Sequence, residues 1–87
     1  MSSDEPRSSA DGRLRAAVAE ILEIDAAEVE DATSPQTVKR WNSMTHMKLV
    51  ARVEGAFGVR LPVREVIRIK SVGDLRRVLA GQGVELG

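Results

Sequence analysis

The sequence predicts an all-α fold, a bundle of three longer helices and one short helix with a long loop between helices I and II. Apolar residues recur at helical spacing in separate stretches, and no stretch shows the sustained alternation of a β-strand. With 87 residues, the chain can bury one modest core but cannot form a cleft between two lobes. We therefore expect one domain over residues 11–81, preceded by a disordered leader (1–10) and followed by a flexible tail (82–87).

The first half of the domain is predicted to be a helix followed by a loop. The helix runs from Asp11 to about Ile24, and its inward stripe is Leu14, Val18, Ile21 and Leu22. Residues 25–42 are rich in acidic residues and contain Ser34-Pro35, which predicts a long loop with room for one short helical turn. The side chains expected to pin this loop to the core are Val29, Val38 and Trp41.

The second helix is predicted from Ser43 to Phe57, and Gly58 is its natural stop. Its inward stripe consists of Leu49, Val50, Val53 and Phe57. A different side of the same helix carries an apolar trio set among charges, namely Met44, Met47 and Ala51. Methionine adapts to differing surfaces, so this side is predicted to contact partners, although partial burial of Met47 against the third helix is equally consistent with the pattern.

Two further helices complete the predicted bundle. Pro62 suits the first turn of a short helix over residues 63–69, in which Val66 and Ile67 are expected to be buried. Ser71 and Asp74 have the spacing of a capping pair for the fourth helix. That helix has an inward stripe of Val72, Leu75, Val78 and Leu79, an outer face with Arg76 and Arg77, and an end at Gly81 and Gly83.

Composition excludes several classes of function. The chain has no cysteine, which excludes disulfides and thiolate metal sites. It has one histidine, which argues against a metal site built from histidines. The sequence contains neither a membrane-spanning apolar run nor the pattern of a signal peptide, so the expected location is the cytoplasm. The net charge of zero divides into −6 over residues 1–34 (nine acidic, three basic) and +6 over residues 35–87 (four acidic, ten basic).

Ser43 is the main candidate functional residue because it lies where the loop gives way to the second helix. A helix start has unpaired N–H groups and a partial positive charge. A serine there can cap the helix, or it can carry a phosphate that the helix end favours. Position alone leaves both uses open.

The segment WNSMTHMKLVARVEGAFGV, residues 41–59, resembles the part of acyl carrier proteins that begins with Asp-Ser-Leu. The resemblance extends over about residues 11–80. It implies that Ser43 receives 4′-phosphopantetheine from a phosphopantetheinyl transferase, and that the thiol of this arm holds acyl groups as thioesters. The protein would then be a carrier and not an enzyme. Its other partners would be acyl-loading and condensing enzymes, such as an acyltransferase, an adenylating enzyme or a ketosynthase.

The chain also departs from the family pattern. Lys48 replaces a typical glutamate with Arg52 nearby, and Asn42 replaces the usual aspartate before the serine. We therefore expect partners with a less basic or acidic docking surface, as in a polyketide-type secondary-metabolite pathway rather than general fatty-acid synthesis. The absence of a Gly-Gly approach to Ser43 favours acyl over aminoacyl cargo. The residues expected to face partners are Asn42, Met44, Met47, Lys48, Ala51 and Glu54.

Other interpretations stay open at this point: a peptidyl or aminoacyl carrier, an unloaded helical interaction module, or a small nucleic-acid binder. The last would use the basic residues Arg60, Arg64, Arg68, Lys70, Arg76 and Arg77, which solvated helix faces explain more simply. His46 is expected to be a packed or partly exposed helical side chain, and Trp41 a loop anchor. We expect a monomer that binds neither metal, nucleic acid nor membrane.

Overall fold

A computed structural model describes residues 9–86 of the chain. Its elements are α1 (Ala10–Leu22), a 3-10 turn (Ala26–Glu28), α2 (Ser43–Phe57), α3 (Val63–Val66) and α4 (Val72–Gly81). These described residues contain no strand. The predicted all-α class, with three longer helices, one short helix and a long first loop, is confirmed.

The core lies where α1, α2 and α4 meet, with the first loop and α3 closing its sides. The side chains with almost no exposed surface are Leu14, Val18, Leu22, Val29, Leu49, Val53, Val72, Leu75 and Leu79. They include most members of the stripes that helical spacing predicted on the three longer helices. Phe57 and Val78 are only partly buried, at the edge of this core.

The end of α1 differs from the prediction. The helix begins at Ala10, capped by the Ser9 hydroxyl, and ends at Leu22 instead of Ile24. Glu23 takes the left-handed conformation (φ 58°), and its N–H and that of Ile24 both donate to the carbonyl of Ala19. This turn brings Ile24 back against the core, where it is partly buried. The sequence has no glycine at this point, so no local signal marks the stop.

The first loop is docked on the start of α4. The N–H of Val72 donates to the carbonyl of Thr33 (2.9 Å), and the N–H of Gly73 donates to the carbonyl of Asp31 (3.0 Å). A Cβ at Gly73 would lie 3.3 Å from that Asp31 oxygen, so the close approach favours glycine. Thr33 itself is buried, and its Oγ1 accepts the N–H of Glu30. Of the predicted pins, Val29 and Trp41 are buried and Val38 is partly buried.

The prediction for the third helix is wrong in one important respect. Ile67 is 68% exposed, whereas the sequence pattern predicted burial. The helix covers only Val63–Val66, with Pro62 before its first residue, so the chain turns at Ile67 and buries Ile69 instead. A single helical turn cannot continue the spacing from which burial of Ile67 was predicted.

The fourth helix starts as predicted but uses Arg76 differently. The Ser71 hydroxyl accepts the N–H of Asp74 (3.1 Å), and the carboxylate of Asp74 accepts the N–H of Lys70 (2.9 Å). Arg77 is exposed on the outer face, but Arg76 is not: its guanidinium pairs with Asp11 of α1 and, at 2.7 Å, with Asp31 of the loop. Burial would lower the pKa of Arg76, but these two carboxylates raise it above its ordinary value.

Candidate functional site

The start of α2 is capped by Asn42. Its side-chain Oδ1 accepts the N–H groups of Met44 (3.0 Å) and Thr45 (3.1 Å). In return, the hydroxyl of Thr45 accepts the N–H of Asn42 (2.8 Å), which completes a capping box. Asn42, which replaces the usual aspartate before the serine, therefore still caps the helix.

Ser43 is the first residue of α2, one position after the cap. Its side chain is exposed, and its hydroxyl forms no hydrogen bond with any residue in the range 9–86. The use of Ser43 as a helix cap, one of the two that position left open, is therefore excluded. The hydroxyl lies beside the positive end of a 15-residue helix, where an attached phosphate would be favoured.

An open groove of about 510 Å³ lies on one side of Ser43, and we call it the Trp41 groove. Its lining consists of Pro35, Trp41, Asn42, Ser43, His46, Met47 and Ile67. None of these side chains carries an acidic or a lysine or arginine group, and most are apolar. Met47 and Ile67 are 57% and 68% exposed, so the groove presents apolar surface that the fold leaves uncovered.

His46 joins the loop, α2 and α3 at the floor of this groove. The indole N–H of Trp41 lies 3.0 Å from His46 Nδ1, and His46 Nε2 lies 3.0 Å from the carbonyl oxygen of Val66. Because an indole N–H can only donate, Nδ1 must accept, and the ring proton on Nε2 must donate to Val66. The two rings are also stacked, 6.1 Å between centroids and 22° between planes. Trp41 is thus the loop anchor that was predicted, and His46 a packed side chain.

The other side of Ser43 is basic, and we call this surface the Lys48 groove. Its lining consists of Lys39, Arg40, Asn42, Met44, Thr45 and Lys48. Arg40 pairs with Glu23 at 3.3 Å, whereas neither Lys39 nor Lys48 pairs with any described residue. Asn42 lines both grooves, and Ser43, the next residue, lines the apolar one.

The residues expected to face partners are mostly exposed. Met44 is 68% and Met47 57% exposed, so the alternative that Met47 packs against α3 is wrong, and Lys48 and Ala51 are also exposed. Glu54 is half-buried, and its Oε2 accepts the N–H of Leu61 at 2.7 Å, which ties the end of α2 to the following loop. A recognition role for this carboxylate stays a prediction.

Within the described residues, three of the ten basic residues in the second half of the chain form ion pairs with acidic residues of the first half. Arg52, which was expected to make the α2 surface more basic, forms a bidentate ion pair with Glu20 of α1. Arg40 with Glu23 and Arg76 with Asp11 and Asp31 likewise connect the basic half with the acidic half. The cations that remain beside Ser43 are therefore Lys39 and Lys48.

Two classes of site find no support in the described residues. Between residues 9 and 86 no group of three or more His, Cys, Asp or Glu side chains is placed to hold a metal ion. Within the same range no helix has the length and apolarity needed to cross a membrane.

A small helical bundle with an unused, exposed hydroxyl at the start of its second helix is the architecture of a carrier. The family described as "Phosphopantetheine attachment site" matches residues 12–79, so the chain belongs to this family. Its members carry 4′-phosphopantetheine covalently on a serine and are carriers rather than enzymes. They work with a phosphopantetheinyl transferase and with acyl-handling enzymes. None of the curated proteins compared with the chain matches it.

Proposed function

We propose that this protein is an acyl carrier protein that bears its 4′-phosphopantetheine on Ser43 and serves a polyketide or related secondary-metabolite pathway. The assignment rests on a difference in the hydrogen bonds of three serine hydroxyls. The segment matched by the family contains Ser34, Ser43 and Ser71. Ser34 and Ser71 each accept a backbone N–H, from Gln36 and Asp74, whereas the hydroxyl of Ser43 has no partner within residues 9–86.

Attachment requires one displacement at phosphorus. The Ser43 hydroxyl oxygen would attack the pantetheine-side phosphorus of coenzyme A, forming a phosphodiester while the pyrophosphate P–O bond breaks and adenosine 3′,5′-bisphosphate leaves. The serine proton needs a base, and His46 is not available because Trp41 and Val66 engage both of its ring nitrogens. The transferase must therefore supply the base. The chain contributes the N-terminus of α2, worth about 0.3–1 kcal/mol to the phosphate.

The arm would supply a thiol, which the chain itself lacks because it has no cysteine. An acyl rather than an aminoacyl cargo is supported by the absence of a Gly-Gly approach to Ser43 and by the apolar surface of the Trp41 groove. A partner with an acidic docking surface is supported by the unpaired Lys48 and Lys39. These properties fit dedicated acyl-loading and condensing enzymes in the cytoplasm better than general fatty-acid synthesis.

The test is co-expression with a promiscuous phosphopantetheinyl transferase, followed by intact mass measurement. One added arm is expected on the wild-type protein and on Ser34→Ala, and none on Ser43→Ala. An unmodified mass after trials with several transferases would contradict the carrier function. An arm on Ser43→Ala would contradict the assignment of Ser43 as the attachment site.

The nature of the cargo is tested separately. We expect the holo protein from its native source to carry an acyl thioester, identified by mass after release with hydroxylamine. An amino acid in that position would make the protein a peptidyl carrier.

A further inference from the structure

We propose that His46 is a positioning residue for the arm on Ser43. By holding Trp41 and α3 together, it builds the groove in which the pantetheine part of the arm lies. The same bridge ties α3 to α2 and so closes the path between the two helices by which an acyl chain would reach the core. This inference rests on the proposed attachment at Ser43.

The first step is that the His46 bridge joins three segments, the end of the loop, the start of α2 and, 20 residues further on, the end of α3. Trp41 belongs to the loop, His46 to α2, and Val66 is the last residue of α3. Each of the two hydrogen bonds is 3.0 Å long, and the tautomer with the proton on Nε2 satisfies both at once. Because α3 is a single helical turn, its own backbone hydrogen bonds can do little to fix its position relative to α2.

The second step is that the bridge shapes a surface suited to the arm. The indole of Trp41, 3% exposed, forms the back of the groove, and Met47 and Ile67 form exposed apolar walls. Ser43 lines the same groove, so an arm attached there starts inside it. Pantetheine combines a dimethyl-substituted carbon and methylene groups with two amides. A groove of about 510 Å³ that mixes apolar walls with the polar side chains of Asn42 and His46 suits this chemistry.

The third step concerns the acyl chain beyond the arm. The inward side chains of α2 are buried, with Leu49 and Val53 at most 1% exposed, and they belong to the same core cluster as the fully buried Leu75 of α4. His46 of α2 is bonded to the carbonyl of Val66, the last residue of α3, so it joins the two helices. With this bridge in place, an acyl group stays outside the core, at the open side of the groove where Ile67 is exposed, and remains accessible to partner enzymes.

The arm position can be tested through the single tryptophan of the chain, whose indole N–H gives one NMR signal. We expect this signal to shift when apo protein is converted to holo protein with coenzyme A and a transferase. The shift should shrink in Met47→Gln, which removes an apolar wall. It should persist in Met44→Gln, because Met44 is also exposed but lines the Lys48 groove instead. An indole signal that is identical in the apo and holo proteins, once intact mass has established loading, would overturn the arm position.

The closure of the path between α2 and α3 to an acyl chain is tested by loading the protein from acetyl-coenzyme A and from octanoyl-coenzyme A. In the wild type and in His46→Gln, which keeps one donor and one acceptor, the two acyl forms should melt at the same temperature. In His46→Ala, the octanoyl form should melt higher than the acetyl form because the chain can then enter the core. A wild-type octanoyl form that melts above the acetyl form would contradict the closure, as would equal melting temperatures in His46→Ala. Failure of loading would count against the proposed function instead.

Discussion

Asn42 and Ser43 perform different tasks at adjacent positions. The amide oxygen of Asn42 satisfies two N–H groups of the first turn, which leaves the Ser43 hydroxyl without a structural duty. The hydrogen bonds of the cap do not involve the Ser43 hydroxyl, so modification of that hydroxyl breaks none of them. The hydroxyl can therefore be esterified without a cost to the helix.

This separation predicts unequal effects of two alanine substitutions. Asn42→Ala should lower the free energy of unfolding by about 1 kcal/mol, the usual cost of a lost N-cap. Ser43→Ala should change it by less than about 0.5 kcal/mol, as expected of an exposed residue with no contact to lose. Urea unfolding of the two apo variants measures both values. A larger loss for Ser43→Ala would mean that Ser43 caps the helix after all.

Among the elements, the boundaries that could be predicted from sequence are those with local chemistry. α2 has an Asn-capped start and ends at Gly58, which takes the left-handed conformation (φ 65°), so its range was predictable. The end of α1 was not, because Glu23 adopts that conformation without the glycine that usually marks it. Burial of Ile67 was wrongly predicted because helical spacing loses meaning in a helix of one turn.

The strain at Glu23 gives a prediction for α1. Glu23→Gly should raise the free energy of unfolding by about 0.5–1 kcal/mol, because glycine adopts positive φ without the side-chain clash. The substitution also removes the ion pair with Arg40, but both side chains are more than half exposed, and such pairs contribute little. Glu23→Gln removes the pair and keeps the strain, so it serves as the control and should be nearly neutral in thermal unfolding. A loss of stability in Glu23→Gly would contradict this account of the helix end.

The same distinction applies to the candidate site. Ser43 could be identified from sequence because a helix start and a family motif coincide there. The Trp41–His46–Val66 bridge could not, since it depends on where α3 lies, 20 residues after His46. The internal role of Glu54 depends in the same way on the loop at Leu61. Sequence spacing reports the face of a helix, but not what packs against that face.

On the scale of the whole molecule, ion pairs connect the two oppositely charged halves of the chain. Arg76 of α4 pairs with Asp11 at the start of α1 and with Asp31 of the loop, so one side chain joins three segments. It is 24% exposed, whereas Arg77 next to it is 75% exposed and, among residues 9–86, pairs with Asp74 of its own helix.

This difference predicts unequal effects of two neighbouring substitutions. Arg76→Met should lower the free energy of unfolding by about 1–2 kcal/mol, because charge-assisted bonds at a partly buried site are lost while the aliphatic stem is kept. Arg77→Met should cost less than about 0.5 kcal/mol. Urea unfolding at neutral pH compares the two directly. Equal losses would show that the ion pairs of Arg76 with Asp11 and Asp31 add nothing to stability.

The acid limb of stability should depend on Asp74. The hydrogen bond from the Lys70 N–H lowers the pKa of Asp74 below its ordinary value; burial opposes this, and Arg77 adds to it. Because the folded-state pKa is the lower one, the stabilisation is present above the unfolded-state pKa and is lost as the pH falls through the folded-state pKa. Asp74→Asn should therefore be less stable than the wild type at neutral pH, and the difference should disappear as the pH falls through the folded-state pKa of Asp74. A difference that persists unchanged in acid would contradict this role.

The identity of the modified residue is tested most directly by tandem mass spectrometry of the loaded protein. Trypsin cleaves after Arg40 and Lys48 and releases residues 41–48, in which Ser43 and Thr45 are the two hydroxyl side chains. Thr45 is engaged in the capping box, so the fragments should locate the phosphopantetheine on Ser43. A modification on Thr45, or an unmodified peptide from a protein that carries the arm elsewhere, would contradict the assignment.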